Sequence, residues 1–265
     1  MAERSPFPDE EGVRLEEDEE TVEALVLLAL LKLTSRTPTS IRRDYSNGTL
    51  SERIQQLINQ FKTGLDSTLP TLISTANYGS RLTVDRLSSY SGNDINTTAQ
   101  DIDYILEQNI NEILNSTNTA IEMAQLEESD VTTTVLPFVI GLNSNQAKKL
   151  INYTKANQGR RKLEDIERTL SKMRDEALTY RASLISTSVV EDVLEEGKLI
   201  AANQIQLGSS VTLFKTWNCS FINSCQVCIG LHGESVPINS AFSTGIFRPK
   251  AHPHCHCALT IDEVG

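Results

Sequence analysis

Every cysteine and histidine of this 265-residue chain, five of one and four of the other, lies beyond residue 218. They form two knots: Cys225 with Cys228, then the run His252, Pro253, His254, Cys255, His256, Cys257, with 23 residues between the knots. Thiolate sulfur and imidazole nitrogen are the donors of a tetrahedral Zn²⁺, and a C-x-x-C loop presents two sulfurs to one ion. The separation is near that of familiar zinc ribbons. The last fifty or so residues are few for an apolar core alone, a size at which a metal staple commonly compensates. The spacing therefore predicts a small module closed by one structural zinc.

Five residues are candidate metal ligands, Cys225, Cys228, His252, Cys255 and Cys257, of which four are expected around the ion. His254 and His256 alternate with the cysteines and face away from them if the run is extended. Cys219 reads as a small buried apolar residue, and His232 as a turn residue. Disulfides between Cys225/Cys228 and Cys255/Cys257 stay open for an oxidising compartment. A thioredoxin-like redox pair lacks its βαβ context. A zinc deaminase needs H-x-E ahead of P-C-x-x-C; His232-Gly233-Glu234 comes after the C-x-x-C instead. With no phosphate loop and no nucleophile elbow, the expectation is a protein without catalytic residues.

Charge divides the chain. Residues 1 to 20 carry nine acids against two arginines, −7 of a net −11, and almost no apolar content, which predicts an acidic disordered tail. That acidic start is unlike a secretion signal, and the apolar stretch Val22 to Leu33 is too short to cross a membrane, so a reducing cytosol is expected, where cysteines favour metal over disulfides.

The expected fold is mainly α: a helical N-terminal and central region followed by a small zinc-stapled α+β C-terminal module. The domains read as the tail (1–20), a helical region (21–130), a second helical part (131–210) and the zinc-binding β-rich module (211–265). Thr49 and Glu52 form a capping box before Ile54, Leu57, Ile58, Phe61 and Leu65. Ile102, Ile105, Leu106, Ile110, Ile113 and Leu114 make a second stripe. Leu163, Ile166, Leu170, Met173, Ala177, Tyr180 and Leu184 hold one seam at heptad spacing. Ser188 and Glu191 read as a capping box that starts a further helix. Residues 74–99 read as loops around a short helix at Leu82 to Leu87. Val131 to Ile140, interrupted by Pro137, reads as an edge strand or a hinge-like linker. Val211 to Trp217 and Ala258 to Ile261 suggest strands.

The C-terminal region resembles the phage head-morphogenesis family, the minor head proteins similar to protein F of phage Mu. The matching residues are Lys215 and Trp217, then Cys225-Gln226-Val227-Cys228, Leu231-His232-Gly233, and the closing His252-Pro253-His254-Cys255-His256-Cys257. Gly141-Leu142-Asn143-Ser144 resembles that family's helix-start segment, and the likeness covers roughly residues 135 to 262. Where members often carry Arg-Thr-Glu after an Ile-Ala, this chain has Ile185-Ser186-Thr187-Ser188-Val189. The resemblance implies a minor capsid protein of the virion, inside the phage head and in the host cytoplasm during assembly. Its implied partners are portal, capsid and scaffolding proteins, with a part in genome packaging or ejection.

Lys148, Lys149, Lys155, Arg160, Arg161 and Lys162 give a local +6 with no acid from Gly141 to Leu163. They suit an acidic protein surface or packaged DNA, which makes a zinc-ribbon-like nucleic-acid-binding protein the alternative function. Arg36, Arg42 and Arg43 form a smaller group.

Overall fold

The computed structural model describes residues 20–28, 38–49, 68–87, 97–221, 224–251 and 255–264, with single positions at 52, 56, 59 and 95. Residues 1–19 of the acidic tail, most of the helix expected after Thr49, Arg36, His252 and His254 lie outside the described residues. The chain is mostly helical with one small antiparallel sheet near its C-terminus, as the periodicity predicts. Helices α1 (Pro38–Ser46), α2 (Leu69–Arg86), α3 (Ala99–Gln125), α4 (Ser129–Val139), α5 (Ser144–Asn157) and α6 (Leu163–Gly208) precede strand β1 (Thr212–Asn218). The short α7 (Gln226–Leu231), β2 (Ser235–Pro237) and β3 (Ala258–Val264) follow. Two compact units result, one of 1–22, 68–106 and 184–265, the other of 23–67 and 107–183.

In the first unit the sheet order is β2-β1-β3, with Lys215 opposite Ile261 and Trp217 opposite Leu259. Leu213 and Trp217 alternate inward along β1 and pack with Ile205, Leu231, Phe242 and Leu259. Trp217 meets Phe242 edge to face at 5.2 Å. Helix α2 takes the place of the loop expected over 74–81 and runs on through the short helix expected from Leu82. Its Ser, Thr and Gly content lowers helix propensity, but those small residues let two backbones touch. A Cβ on Gly79 would stand 2.2 Å from the Leu194 carbonyl oxygen, and one on Gly197 would stand 2.0 Å from that of Ala76. Ser80 donates to the Gly197 carbonyl at 2.9 Å, and Thr83 to that of Lys198 at 3.3 Å. The hydroxyls that argued for loops are thus spent across a helix crossing.

In the second unit α4 overturns the strand or linker expected at 131–140. Pro137 lies inside the helix, where it lacks the N–H that would bond the Thr133 carbonyl. Arg42 of α1 donates its Nε–H to that carbonyl at 2.6 Å and pairs through Nη2 with Glu167. The proline's lost bond is thereby replaced by a side chain 91 residues away. The turn after α4 uses Gly141 at φ 85°, and Asn143 with Gln146 forms the reciprocal box that starts α5. Arg181, buried, donates to the Gly141 and Ile113 carbonyls and to Ser116, replacing a carboxylate partner with backbone oxygens.

Helix α6 corrects two further expectations. It continues unbroken through Ser188 and Glu191, so no helix begins there. A capping box is a local pattern, and the apolar burial of Val189, Val190, Val193 and Leu194 keeps the backbone helical through it. Of the predicted seam, Ile166 and Leu170 are buried, but Leu163 and Tyr180 are 51% and 63% exposed. Leu178 and Ala182 take the inward positions instead.

Candidate metal centre

The β1–β3 ladder ends at Asn218 opposite Ala258, so the chain segments beyond that rung emerge together at one end of the sheet. The Trp217 N–H donates to the Glu234 carbonyl at 3.0 Å and the Gly233 N–H to the Trp217 carbonyl at 2.8 Å. These two bonds close residues 218–233 into a loop that carries α7 and the first cysteine knot. Cys255 and Cys257, just before β3, come from the other side.

Cys228, Cys255 and Cys257 are buried, and their sulfurs all lie within 4.8 Å of one another. The Cys228 and Cys255 sulfurs are 3.6 Å apart. Four sulfurs at a Zn–S distance near 2.3 Å stand about 3.8 Å from each other in a tetrahedron, so the trio fits one metal ion. Cys225 caps α7: its sulfur accepts the Cys228 N–H at 3.4 Å. It stands beside the trio, partly exposed, and is not among the three that converge. Of the five predicted ligands, three are therefore brought together, Cys225 is adjacent, and His252 falls outside the described residues.

Electrostatics suit a cation. Hydrogen bonds donated first by the Cys257 thiol pull Cys255 down to about 5. Burial pushes the Cys228 thiol up to about 12. Cys257 is raised as well, chiefly because its S–H is given to Cys255 and also by burial. Without a cation each added thiolate would face another in a poorly solvated place, so ionising all three is unfavourable. A divalent ion reverses that repulsion and lets all three ionise. Cys225 is lowered by the backbone N–H it accepts. The buried Trp217 indole N–H has no conventional partner; it leans on the Cys257 sulfur and favours its thiolate.

His256 is not among the converging ligands, and its Nδ1 sits 2.7 Å from Glu191. Cys219 is buried in the apolar cluster, and its N–H donates to His232 Nδ1 at 3.2 Å. Arg86, Lys198, His232 and His256 share the wall of a cleft of about 580 Å³ beside β3. All four groups are engaged: Arg86 with Asp262, Lys198 with Glu195, His256 with Glu191 and His232 with the Cys219 N–H.

The support around the centre comes from α6. Glu195, buried and raised in pKa by desolvation, accepts the Leu259 N–H at 2.7 Å and pairs with Lys198 at 2.7 Å. Asp192 holds Arg248 at 2.7 Å and Lys250 at 2.9 Å. Lys250 has φ 146°, a strained value for a residue with a Cβ, and the salt bridge helps to hold it there. Sequence alone passed over these acids. Their signal was an apolar helix segment, Val189 to Leu199, with charges on every face, which leaves some of them nowhere to go but inward.

No family model, curated protein or solved structure matches the chain. Among the described residues no helix is long and apolar enough to cross a membrane.

Proposed function

We propose that this chain is a structural component of a phage head, a minor capsid protein that assembles with the portal, its C-terminal module held by one zinc ion. The observation that carries the reading is the convergence of Cys228 with Cys255 and Cys257, the two halves of the motif that resembles the head-morphogenesis family. Soft thiolate donors favour zinc over harder cations. Cys228, Cys255 and Cys257 would hold it, with Cys225 or His252 as the fourth donor. The ion would supply charge neutralisation between two distant segments and, with them, folding free energy of about 10 kcal/mol. The engaged charges of the neighbouring cleft favour a structural over a catalytic role.

Elemental analysis of the purified chain is expected to find one zinc per chain, and Cys228→Ser to lose it together with the near-UV signal of Trp217. Zinc-free protein with an intact module would end the staple. Co-purification with a portal protein, set beside capsid and scaffolding proteins, tests the partner separately; capture of none of the three would remove the head-assembly reading.

A nucleic-acid contact is the second reading, and one observation favours it. Lys148, Lys149, Arg160, Arg161 and Lys162 are exposed and have no carboxylate partner among the described residues, whereas Lys155 pairs with Glu127. Five such cations on duplex DNA would give a log–log salt slope of about −4.5. Retention on DNA that ignores salt, or no retention at low salt, counts against it.

A further inference from the structure

Trp217 carries one polar atom into the core of the first unit. The residue is fully buried, with its ring edge to face on Phe242. Its indole N–H meets no oxygen or nitrogen acceptor among the described residues. A buried donor left unpaired is destabilising, and apolar packing alone would not call for one, since a phenylalanine in that place would bury no donor. The strand ladder shows what lies within reach. Trp217 stands opposite Leu259, and the next rung pairs Asn218 with Ala258. Residues two apart share a face, so Cys257 is the diagonal neighbour of Trp217, a separation that an aromatic side chain spans. Cys257 is buried in the same apolar cluster, and the indole favours its thiolate over its thiol.

We propose that Trp217 donates its indole N–H to the Cys257 thiolate and thereby strengthens the module's grip on its metal ion. A neutral thiol is a weak acceptor and a thiolate a strong one. Metal binding also needs the ionised sulfur, so the cation and the indole N–H favour the same form of Cys257. That role rests on the metal reading of Cys228, Cys255 and Cys257. It makes Trp217 a positioning residue, which ties β1 to the centre as hydrogen-bond donors around metal ligands do.

The chain has one tryptophan, so its indole proton gives a single nitrogen-correlated NMR signal. In the full chain loaded with spin-active cadmium in place of zinc, that proton is expected to show scalar coupling to the metal through the N–H···S–Cd path. Bound cadmium without such coupling overturns the role of Trp217 and leaves the staple standing, whereas a chain that binds neither zinc nor cadmium removes both. Competition with a chromophoric chelator gives the second readout. Trp217→Phe is expected to weaken zinc binding about tenfold, while Phe242→Leu, which disturbs the same packing and keeps the indole, is expected to leave the affinity unchanged. Equal losses in the two variants, or no loss in Trp217→Phe, also overturn the proposal.

Discussion

Lys215 brings a charge into the sheet where its side chain has no exposed surface. Its ammonium donates to the Phe247 carbonyl at 2.7 Å and stands 5.4 and 4.9 Å from the Phe242 and Phe247 rings. The carbonyl and the ring faces replace part of the lost hydration, yet burial still lowers its pKa from 10.5 to about 8. Between those two values the unfolded chain binds more protons than the folded one, so stability rises with pH across that window. The penalty of burying the charged form is full below 8 and gone above 10.5. Urea unfolding at several pH values is expected to show this rise in the wild type and to lose that component in Lys215→Met. Equal slopes in the two proteins would mean that Lys215 titrates normally. As part of a strand signal Lys215 was legible in the sequence; its aromatic surroundings were not, because Phe242 and Phe247 reach it only through the fold of the loop after β2.

At the scale of elements, local pattern and tertiary demand disagreed most at α2 and α4. The first looked like a loop because Ser, Thr and Gly favour turns, the second like a strand or linker because Pro137 disfavours helix. In each case a distant element outweighs the local preference: α6 accepts the small residues of α2 at backbone contact, and Arg42 bonds the carbonyl that Pro137 leaves open. The α2–α6 crossing makes a sharp prediction. Gly79→Ala or Gly197→Ala forces the two backbones apart and is expected to cost about 3 kcal/mol in chemical denaturation, at the upper end for overpacking. Gly208→Ala, at the end of α6 with nothing within 4 Å of its new Cβ, is expected to be neutral or to stabilise by up to about 1 kcal/mol. If all three behave alike, the two helices do not meet backbone to backbone.

For the whole molecule, the candidate metal centre belongs to one of two compact units. Chelation is therefore expected to raise hydrogen exchange within 212–218, 226–237 and 258–264, while 107–183 keeps its protection. Mass-spectrometric exchange with and without chelator measures both at once, and uniform loss across the chain would mean that the staple supports the entire fold. Lower pH should weaken the metal's hold, because the thiolates that bind it must first give up protons.

The sequence by itself determined that the candidate metal ligands sit at one end of this chain, since residue type and spacing are properties of the residues alone. It also determined a mostly helical body, because apolar periodicity is local, and the two long strands of the sheet. Only the tertiary structure decided which cysteines meet. Cys228 and Cys255 are 27 residues apart, and a closed loop and a strand ladder, each built from bonds between distant residues, set their separation. It alone decided where helices end and which acids turn inward, because a carboxylate such as Glu195 is held in the interior only when a lysine and a strand amide arrive to meet it.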